Sequence, residues 1–307
     1  MRSGQHSRRQ PVDGVLLLNK PAGITSNQAL QKVKRLLRAA KAGHTGSLDP
    51  AATGMLPLCF GEATKVCAFL LDADKTYRVT ARLGAATDTG DGDGTITETA
   101  PVPSMTAAGW QAVLEQFRGD SLQVPPMYSA LKKDGKRLYE LARRGEVVER
   151  EARPIRIDAI ELLEVRGSRL VFRVRCSKGT YVRTLVEDIA RSAGTVAHTA
   201  SLHRETVAGF EAADMVDLRA AEALVEQDRD ALRARLLPAD RALAGLPGVV
   251  LDGSLAERFR AGQAVPANGP GNGLVRVYGP AGDADFLGVG EAAGGGRIAP
   301  KRVFARR

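Results

Sequence analysis

The chain has 307 residues, with 44 Lys plus Arg against 35 Asp plus Glu and a formal net charge of +9. That length has room for two domains, each with a core of its own, and the positive balance favours a polyanionic partner, nucleic acid ahead of an anionic membrane surface. No apolar run approaches the roughly 18 residues of a transmembrane helix, and no membrane partner is expected. Residues 1–12 are polar, carry Arg2, Arg8 and Arg9, and lack the apolar stretch of a signal peptide, so they read as a disordered basic tail on a cytoplasmic protein. The cysteines, Cys59, Cys67 and Cys176, form no CxxC pair and sit within apolar runs, which predicts buried, reduced thiols.

In chain order, Gly14-Val15-Leu16-Leu17-Leu18-Asn19 reads as a short buried strand closed by Pro21 and Gly23. Thr25-Ser26-Asn27-Gln28 is a capping-box pattern. It opens a helix with an apolar stripe of Ala29, Leu30, Val33, Leu36 and Leu37 and a basic outer face of Lys32, Lys34, Arg35 and Arg38. There follows the stretch Gly43-His44-Thr45-Gly46-Ser47-Leu48-Asp49-Pro50-Ala51-Ala52-Thr53-Gly54. Gly43 and Gly46 allow backbone conformations closed to residues with a Cβ, and Pro50 pushes Asp49 into an extended conformation. Asp49 is therefore a conformationally restricted carboxylate, with His44 upstream; on those two residues alone an ordinary Asp-Pro turn is the favoured reading.

A short apolar run at Met55 to Phe60 leads into a helix carrying Val66, Phe69 and Leu70. From Thr76 to Leu83 the chain alternates, with Tyr77, Val79, Ala81 and Leu83 on the inner face. Thr87 to Gly94 has a calcium-loop flavour, but Ala100 falls where the bidentate Glu belongs and the first ligand is wrong, so it reads as a solvated acidic hairpin turn. Trp110, Val113, Leu114 and Phe117 mark a helix stopped at Gly119. Pro125-Pro126 cannot lie in a central strand. They open an excursion from the core that carries Lys132, Lys133, Lys136 and Arg137, then a short helix with Arg143 and Arg144 ending at Gly145. Taken alone, such a run is as readily a solvated face as a binding surface.

Arg169 to Cys176 alternates again, with Leu170, Phe172, Val174 and Cys176 inward. Ser177 to Thr180 turns the chain into a helix striped by Val182, Leu185, Val186 and Ile189, with Tyr181 and Arg183 in its first turn. A cation there opposes the helix dipole by about 0.3–1 kcal/mol, so an arginine at 183 implies a carboxylate partner. His198 and His203 have no further ligands at zinc spacing, and no metal is expected. Residues 211–246 read as a helical connector, and 247–307 as a small all-β module with one helix near Ser254–Arg260.

Several strings together resemble the bacterial TruB-type tRNA pseudouridine synthases: Asn19 to Ser26, Gly43 to Gly54, Glu62-Ala63-Thr64-Lys65, Pro125 to Arg137 and Gly179-Thr180-Tyr181-Val182-Arg183. The resemblance implies an α+β pseudouridine synthase fold, a mixed, largely antiparallel sheet flanked by helices. The catalytic domain would span 13–246 with an RNA-gripping insertion at about 124–152, and a PUA-like RNA-binding domain would span 247–307. It implies an isomerase that converts uridine 55 in the tRNA T-loop to pseudouridine by base flipping, with no cofactor, as a monomer with no protein partner.

By the same resemblance Asp49 is the nucleophile, Arg183 the arginine paired to it, and Tyr77 the ring stacked on the uracil and a candidate proton abstractor. His44 stacks within the T-loop during flipping, Tyr181 and Leu202 line the site, and Lys20 stands beside it. Tyr181 and Leu202 read equally as core residues and Lys20 as a surface charge flanking a helix. Two other readings remain: a guide-RNA-dependent synthase subunit, against which the string HTGSLDPAATGMLP speaks, and an RNA-binding or tRNA-folding protein with a vestigial site, against which the intact Asp49, Tyr77 and Arg183 speak.

Overall fold

The computed structural model describes residues 10–267, 269 and 271–305. Most of the expected basic tail, and Asn268 and Pro270, lie outside them. Of the tail, Gln10 donates its backbone N–H to Arg38 O at 2.9 Å, and Val12 is part of the core.

The first half contains β1 (Gly14–Lys20), α1 (Ser26–Leu36), β2 (Ala42–His44), β3 (Thr53–Phe60), α2 (Cys67–Asp72), β4 (Lys75–Leu83), the hairpin β5 (Ala85–Thr87) and β6 (Ile96–Thr99), α3 (Ala107–Glu115) and β7 (Gly119–Gln123). A second hairpin, β8 (Lys132–Lys133) and β9 (Lys136–Arg137), precedes α4 (Leu138–Ala142). Then come β10 (Arg153–Arg166), β11 (Arg169–Cys176), α5 (Val182–Ser192), β12 (Ala197–Val207), β13 (Val216–Asp217), α6 (Leu218–Gln227) and α7 (Arg229–Arg233). The C-terminal part has β14 (Gly248–Val250), α8 (Gly253–Arg260), β15 (Val265–Pro266), β16 (Asn272–Tyr278), β17 (Phe286–Ala293) and β18 (Arg297–Val303).

The main sheet runs β13-β1-β3-β12-β4-β11-β10-β7, with β2 added on β3. Its pairs are antiparallel except β1 with β13 and β3 with β12. The apolar runs of β1 and β3 are unbroken because both faces are covered. Leu16, Leu18, Leu56, Leu58 and Phe60 pack with α1 and α6, while Val15, Leu17, Met55 and Cys59 pack with Val66 and Leu70 on the opposite side. The alternating strands β4 and β11 send Tyr77, Val79, Phe172 and Val174 to one face, under Trp110 and Leu114 of α3 and Leu185 and Ile189 of α5. α1 begins with both halves of its capping box made: Thr25 Oγ1 accepts from Gln28 N, and Gln28 Oε1 from Thr25 N.

The C-terminal sheet, β14-β16-β17-β18-β15, closes over a separate core around Phe259, Val275, Val277 and Ile298. It docks on the Glu62–Lys65 segment: Lys65 Nζ donates to Val303 O at 2.7 Å and Ala305 N to Glu62 Oε2 at 2.8 Å. Tyr278 adds a hydroxyl bond to Asp240 Oδ2 at 2.9 Å. No helix among the described residues is long and apolar enough to cross a membrane.

Several expectations are corrected. α3 ends at Glu115, and Gly119 opens the edge strand β7 instead of stopping the helix. The basic excursion carries a two-residue hairpin whose turn, Asp134-Gly135, has both φ angles positive, at 53° and 80°. That is the turn in which an Asp-Gly pair matches the twist of two short strands. Cys59 and Cys176 are buried, but Cys67 is only half-buried.

Candidate active site

The loop between β2 and β3 is fastened at nearly every turn. Ser26 Oγ, at the start of α1, accepts from Leu48 N at 2.8 Å and donates to Leu48 O at 3.1 Å. Leu48 itself is buried in the α3–α5 core. Gly23 N donates to Pro50 O at 2.9 Å, and Ala52 N closes a turn on Asp49 O at 3.1 Å. At the far foot, Gly54 has φ 100° and lies against β12 so closely that a Cβ there would run into the Arg204 backbone. Only glycine fits that crossing, because the positive φ and the close approach both exclude a side chain.

Asp49 meets Arg183 across this loop. Asp49 Oδ2 is 2.9 Å from Arg183 Nε, and the carboxylate is 43% exposed while the arginine is 6% exposed. Arg183 sits in the first turn of α5, where the dipole disfavours it, and other bonds hold it there. Nη1 donates to Thr89 O and Nη2 to Tyr128 O, each at 2.6 Å. Asp91 Oδ2 lies 3.8 Å from Nη1. One nitrogen therefore grips Asp49, and the other two tie down the hairpin after β5 and the base of the insertion.

The turn at 87–94 is thus no solvated feature where it matters. Thr199 N donates to Gly90 O at 3.0 Å, pinning it to β12, and Asp91 presents a second carboxylate, only 16% exposed, to Arg183. Burial raises the pKa of Asp49 above the ordinary carboxylate value; Arg183 pulls it back and Asp91 pushes it up again.

Three further cations are buried nearby. Lys20, fully buried, donates to Pro21 O and Ile24 O at 2.8 Å each and to Pro50 O at 3.2 Å. It is not a surface charge beside a helix but a brace under the Asp49 loop. Burial lowers its pKa to about 8, with Asp49 opposing the shift and Arg204 adding to it. Lys75 donates to Leu71 O at 2.8 Å and Ala73 O at 2.5 Å, and burial brings it to about 8 as well. Arg204 is 1% exposed. Its Nε donates to Met55 O at 2.7 Å and its Nη2 to Gly46 O at 3.0 Å.

Tyr77 is buried in β4, opposite Arg204 of β12, and Leu202 is opposite Val79 on the same face. Burial raises the phenol pKa, and the positive charge of Arg204 works the other way. Tyr181 is the N-cap of α5, one position before the first turn, and its backbone is clasped by Gln123: N to Oε1 at 2.7 Å and Nε2 to O at 3.1 Å. His44 ends β2; burial, then Arg204, lowers its pKa, and its Nδ1 is buried without a hydrogen-bond partner among the described residues.

Lys132, Lys133, Lys136 and Arg137 are all exposed on the β8–β9 hairpin. Lys133 reaches Glu149 O at 2.9 Å and Arg137 the Tyr139 hydroxyl at 2.9 Å. The residues that sequence reasoning missed are Arg204, Asp91, Lys75 and Gln123. A signal existed for two of them: Lys75 shares the Tyr77 face of an alternating strand, and Arg204 lies two residues beyond Leu202.

The family models match along nearly the whole chain. "TruB family pseudouridylate synthase (N terminal domain)" covers residues 34–182, "tRNA pseudouridylate synthase B C-terminal domain" 183–244, and "Pseudouridine synthase II TruB, C-terminal" 247–304. The tRNA pseudouridine synthase B of Stutzerimonas stutzeri is 51% identical over 298 residues, 96% of this chain and 97% of that protein. The chain belongs to the TruB family. The tRNA pseudouridine synthase B of Nitrosococcus oceani, another family member, is 49% identical over 305 residues, 99% of this chain and 98% of that one. A crystal structure of a Cbf5-Nop10-Gar1 complex aligns with a TM-score of 0.74 at 27% identity, covering 96% of this chain and 85% of that one. As a TruB-family enzyme the protein is a pseudouridine synthase, an isomerase acting on tRNA.

Proposed function

We propose that the enzyme converts uridine 55 of the tRNA T-loop to pseudouridine on bare tRNA, without a guide RNA, a protein partner or a cofactor. The observation that carries this reading is Asp49: a carboxylate that solvent and substrate can reach, held 2.9 Å from the buried guanidinium of Arg183. The reaction breaks the C1′–N1 bond, turns the uracil, forms the C1′–C5 bond, and moves a proton from C5 to N1. Every atom and electron of the base is conserved, so no oxidant, reductant or group donor enters the balance.

The chemistry asks for an ionised carboxylate to act on the ribose or the ring, and Asp49 fills that role with Arg183 holding it ionised. Tyr77 stacks on the extruded base and is placed to take the C5 proton. His44 occupies the space the flipped base leaves in the T-loop, a step that costs a few kcal/mol of unstacking. Tyr181 and Leu202 wall the base pocket, and Lys20 supports the loop from beneath. Residues 247–307 act as the PUA-like module that grips RNA away from the reacting base.

The deciding experiment maps pseudouridine at nucleotide resolution on an unmodified tRNA transcript incubated with the purified protein alone. Stoichiometric conversion at position 55 is expected. Conversion at another uridine would overturn the site assignment, and conversion only in the presence of cell extract would favour a partner-dependent subunit.

The insertion makes a separate prediction. If Lys132, Lys133, Lys136 and Arg137 meet phosphates, neutralising them should flatten the dependence of log Kd on log salt by about 0.7 for each phosphate left unneutralised. A salt titration with the quadruple Gln variant checks this, and an unchanged slope marks the hairpin as a solvated face.

A further inference from the structure

We propose that Arg204 is a positioning residue for the isomerisation: it closes both feet of the Asp49 loop from a place directly across the sheet from Tyr77. The proposal rests on the reading of Asp49 and Tyr77 given above and adds a residue that neither touches the substrate nor pairs with the nucleophile.

Arg204 stands at the junction of three strands. It is opposite Gly54 in the β3–β12 pair and opposite Tyr77 in the β4–β12 pair. Directly opposed residues on one face have Cβ atoms about 4.5–5.5 Å apart, so the Arg204 and Tyr77 side chains leave the sheet next to each other. From there its head spans the loop. Nη2 holds Gly46 O, three residues before Asp49, and Nε holds Met55 O, six residues after it. Gly46 itself is at φ 71°, and a Cβ there would lie in ordinary van der Waals contact with Nη1, at 3.5 Å. Desolvating a guanidinium this fully is unfavourable unless fixed partners compensate it. No carboxylate among the described residues makes an ion pair with it, and the hydrogen bonds that compensate it go to two loop carbonyls.

A guanidinium has donors and no acceptor, so Arg204 serves the loop by donating to its carbonyls at both feet. The same cation lies close enough to lower the pKa of His44, Lys20 and Lys75. Burial, then Arg183, Asp91 and Lys20, are the main influences on the charge of Asp49.

The test uses the full-length enzyme with tRNA transcript and two variants, Arg204→Met and Arg204→Lys. Single-turnover rates at saturating tRNA are measured from pH 5.5 to 8.5, with tRNA Kd alongside. Arg204→Met frees both loop feet, and a misplacement of about 1 Å at the reacting group costs about a hundredfold. A loss of that size in rate is expected, with Kd within about threefold and the acid limb of the pH–rate profile unmoved. Arg204→Lys keeps the charge but offers one nitrogen to partners that need a planar fork, so its rate should fall between the two.

A folded Arg204→Met enzyme with wild-type rate overturns the proposal, as does a loss confined to Kd. An acid limb that shifts would show Arg204 acting through Asp49 and also overturns it. If Arg204→Met does not fold, Arg204→Lys decides by itself, and a wild-type rate there is fatal to the idea. Failure of the underlying reading would look different, because Asp49→Asn would then retain turnover whatever Arg204 does.

Discussion

Asp49→Asn is expected to yield no detectable pseudouridine at any enzyme concentration, while its affinity for tRNA stays within about tenfold, roughly 1.4 kcal/mol. The substitution keeps the shape of the side chain and one acceptor oxygen, turns the other into an NH2 donor, and removes the charge. Its neighbours make it a clean change. The backbone of the loop is held by Ser26, Gly23, Lys20 and Arg204, none of which uses the Asp49 carboxylate in these bonds. Arg183 also remains compensated, since Thr89 O and Tyr128 O still accept from it and Asp91 stays 3.8 Å away. The fold should therefore survive, and circular dichroism with a thermal melt will check that it does. An amide is too weak a nucleophile to replace a carboxylate at carbon. Measurable turnover by the Asn variant, after any contaminating host enzyme is removed, takes Asp49 out of the nucleophile's role and leaves it a loop residue.

What the sequence makes legible follows the strength of its local patterns. β4 and β11 alternate without interruption, and their inward residues face the core under α3 and α5 as the period of two requires. α1 carries a complete capping box, and it starts where that pattern places it. β10, the longest strand, escapes a sequence reading because bulges between Ile157 and Ala159 and between Leu162 and Glu164 break its alternation. β12 is equally hidden. It lies between β3 and β4 in the sheet, yet His203 and Arg204 on it are spent on the loop: His203 Nδ1 meets Thr53 Oγ1 at 2.8 Å, and Arg204 holds the two feet. A strand that spends a polar residue on each of its faces on a site does not look like a strand in one sequence. Asp91 escapes notice for a related reason. Its neighbourhood is acidic and glycine-rich, and only the tertiary fold brings it to an arginine on another element.

Arg183→Met is expected to be slow at all pH values and slowest in acid, which separates charge support from mere positioning. The starting point is an Asp49 whose pKa burial has already raised. Arg183 is the largest influence in the opposite direction, and Asp91 opposes it. Removing the guanidinium therefore moves the carboxyl pKa further up. The ionised fraction of Asp49 then falls at a higher pH than in the wild type, so the acid limb of the single-turnover rate shifts upward. The direction is unambiguous, because methionine supplies no charge and the nearby Asp91 disfavours ionisation. In a pocket closed over a base the effect grows, since desolvation strengthens every charge interaction that acts on the carboxylate. A drop of about a hundredfold near neutrality is expected, from lost charge together with loss of the bonds to Thr89 O and Tyr128 O that tie the hairpin and the insertion to the site. Arg183→Lys restores the cation but cannot serve Asp49, Thr89 O and Tyr128 O from one nitrogen, so its acid limb should return toward the wild-type position while its plateau stays low. Asp91→Asn gives the opposite sign: with the competing carboxylate neutralised, Asp49 ionises more readily and the acid limb moves down. If Arg183→Met keeps a near wild-type rate and an unmoved limb, the ion pair is not what keeps Asp49 charged, and Arg183 serves only to tie the hairpin and the insertion to α5.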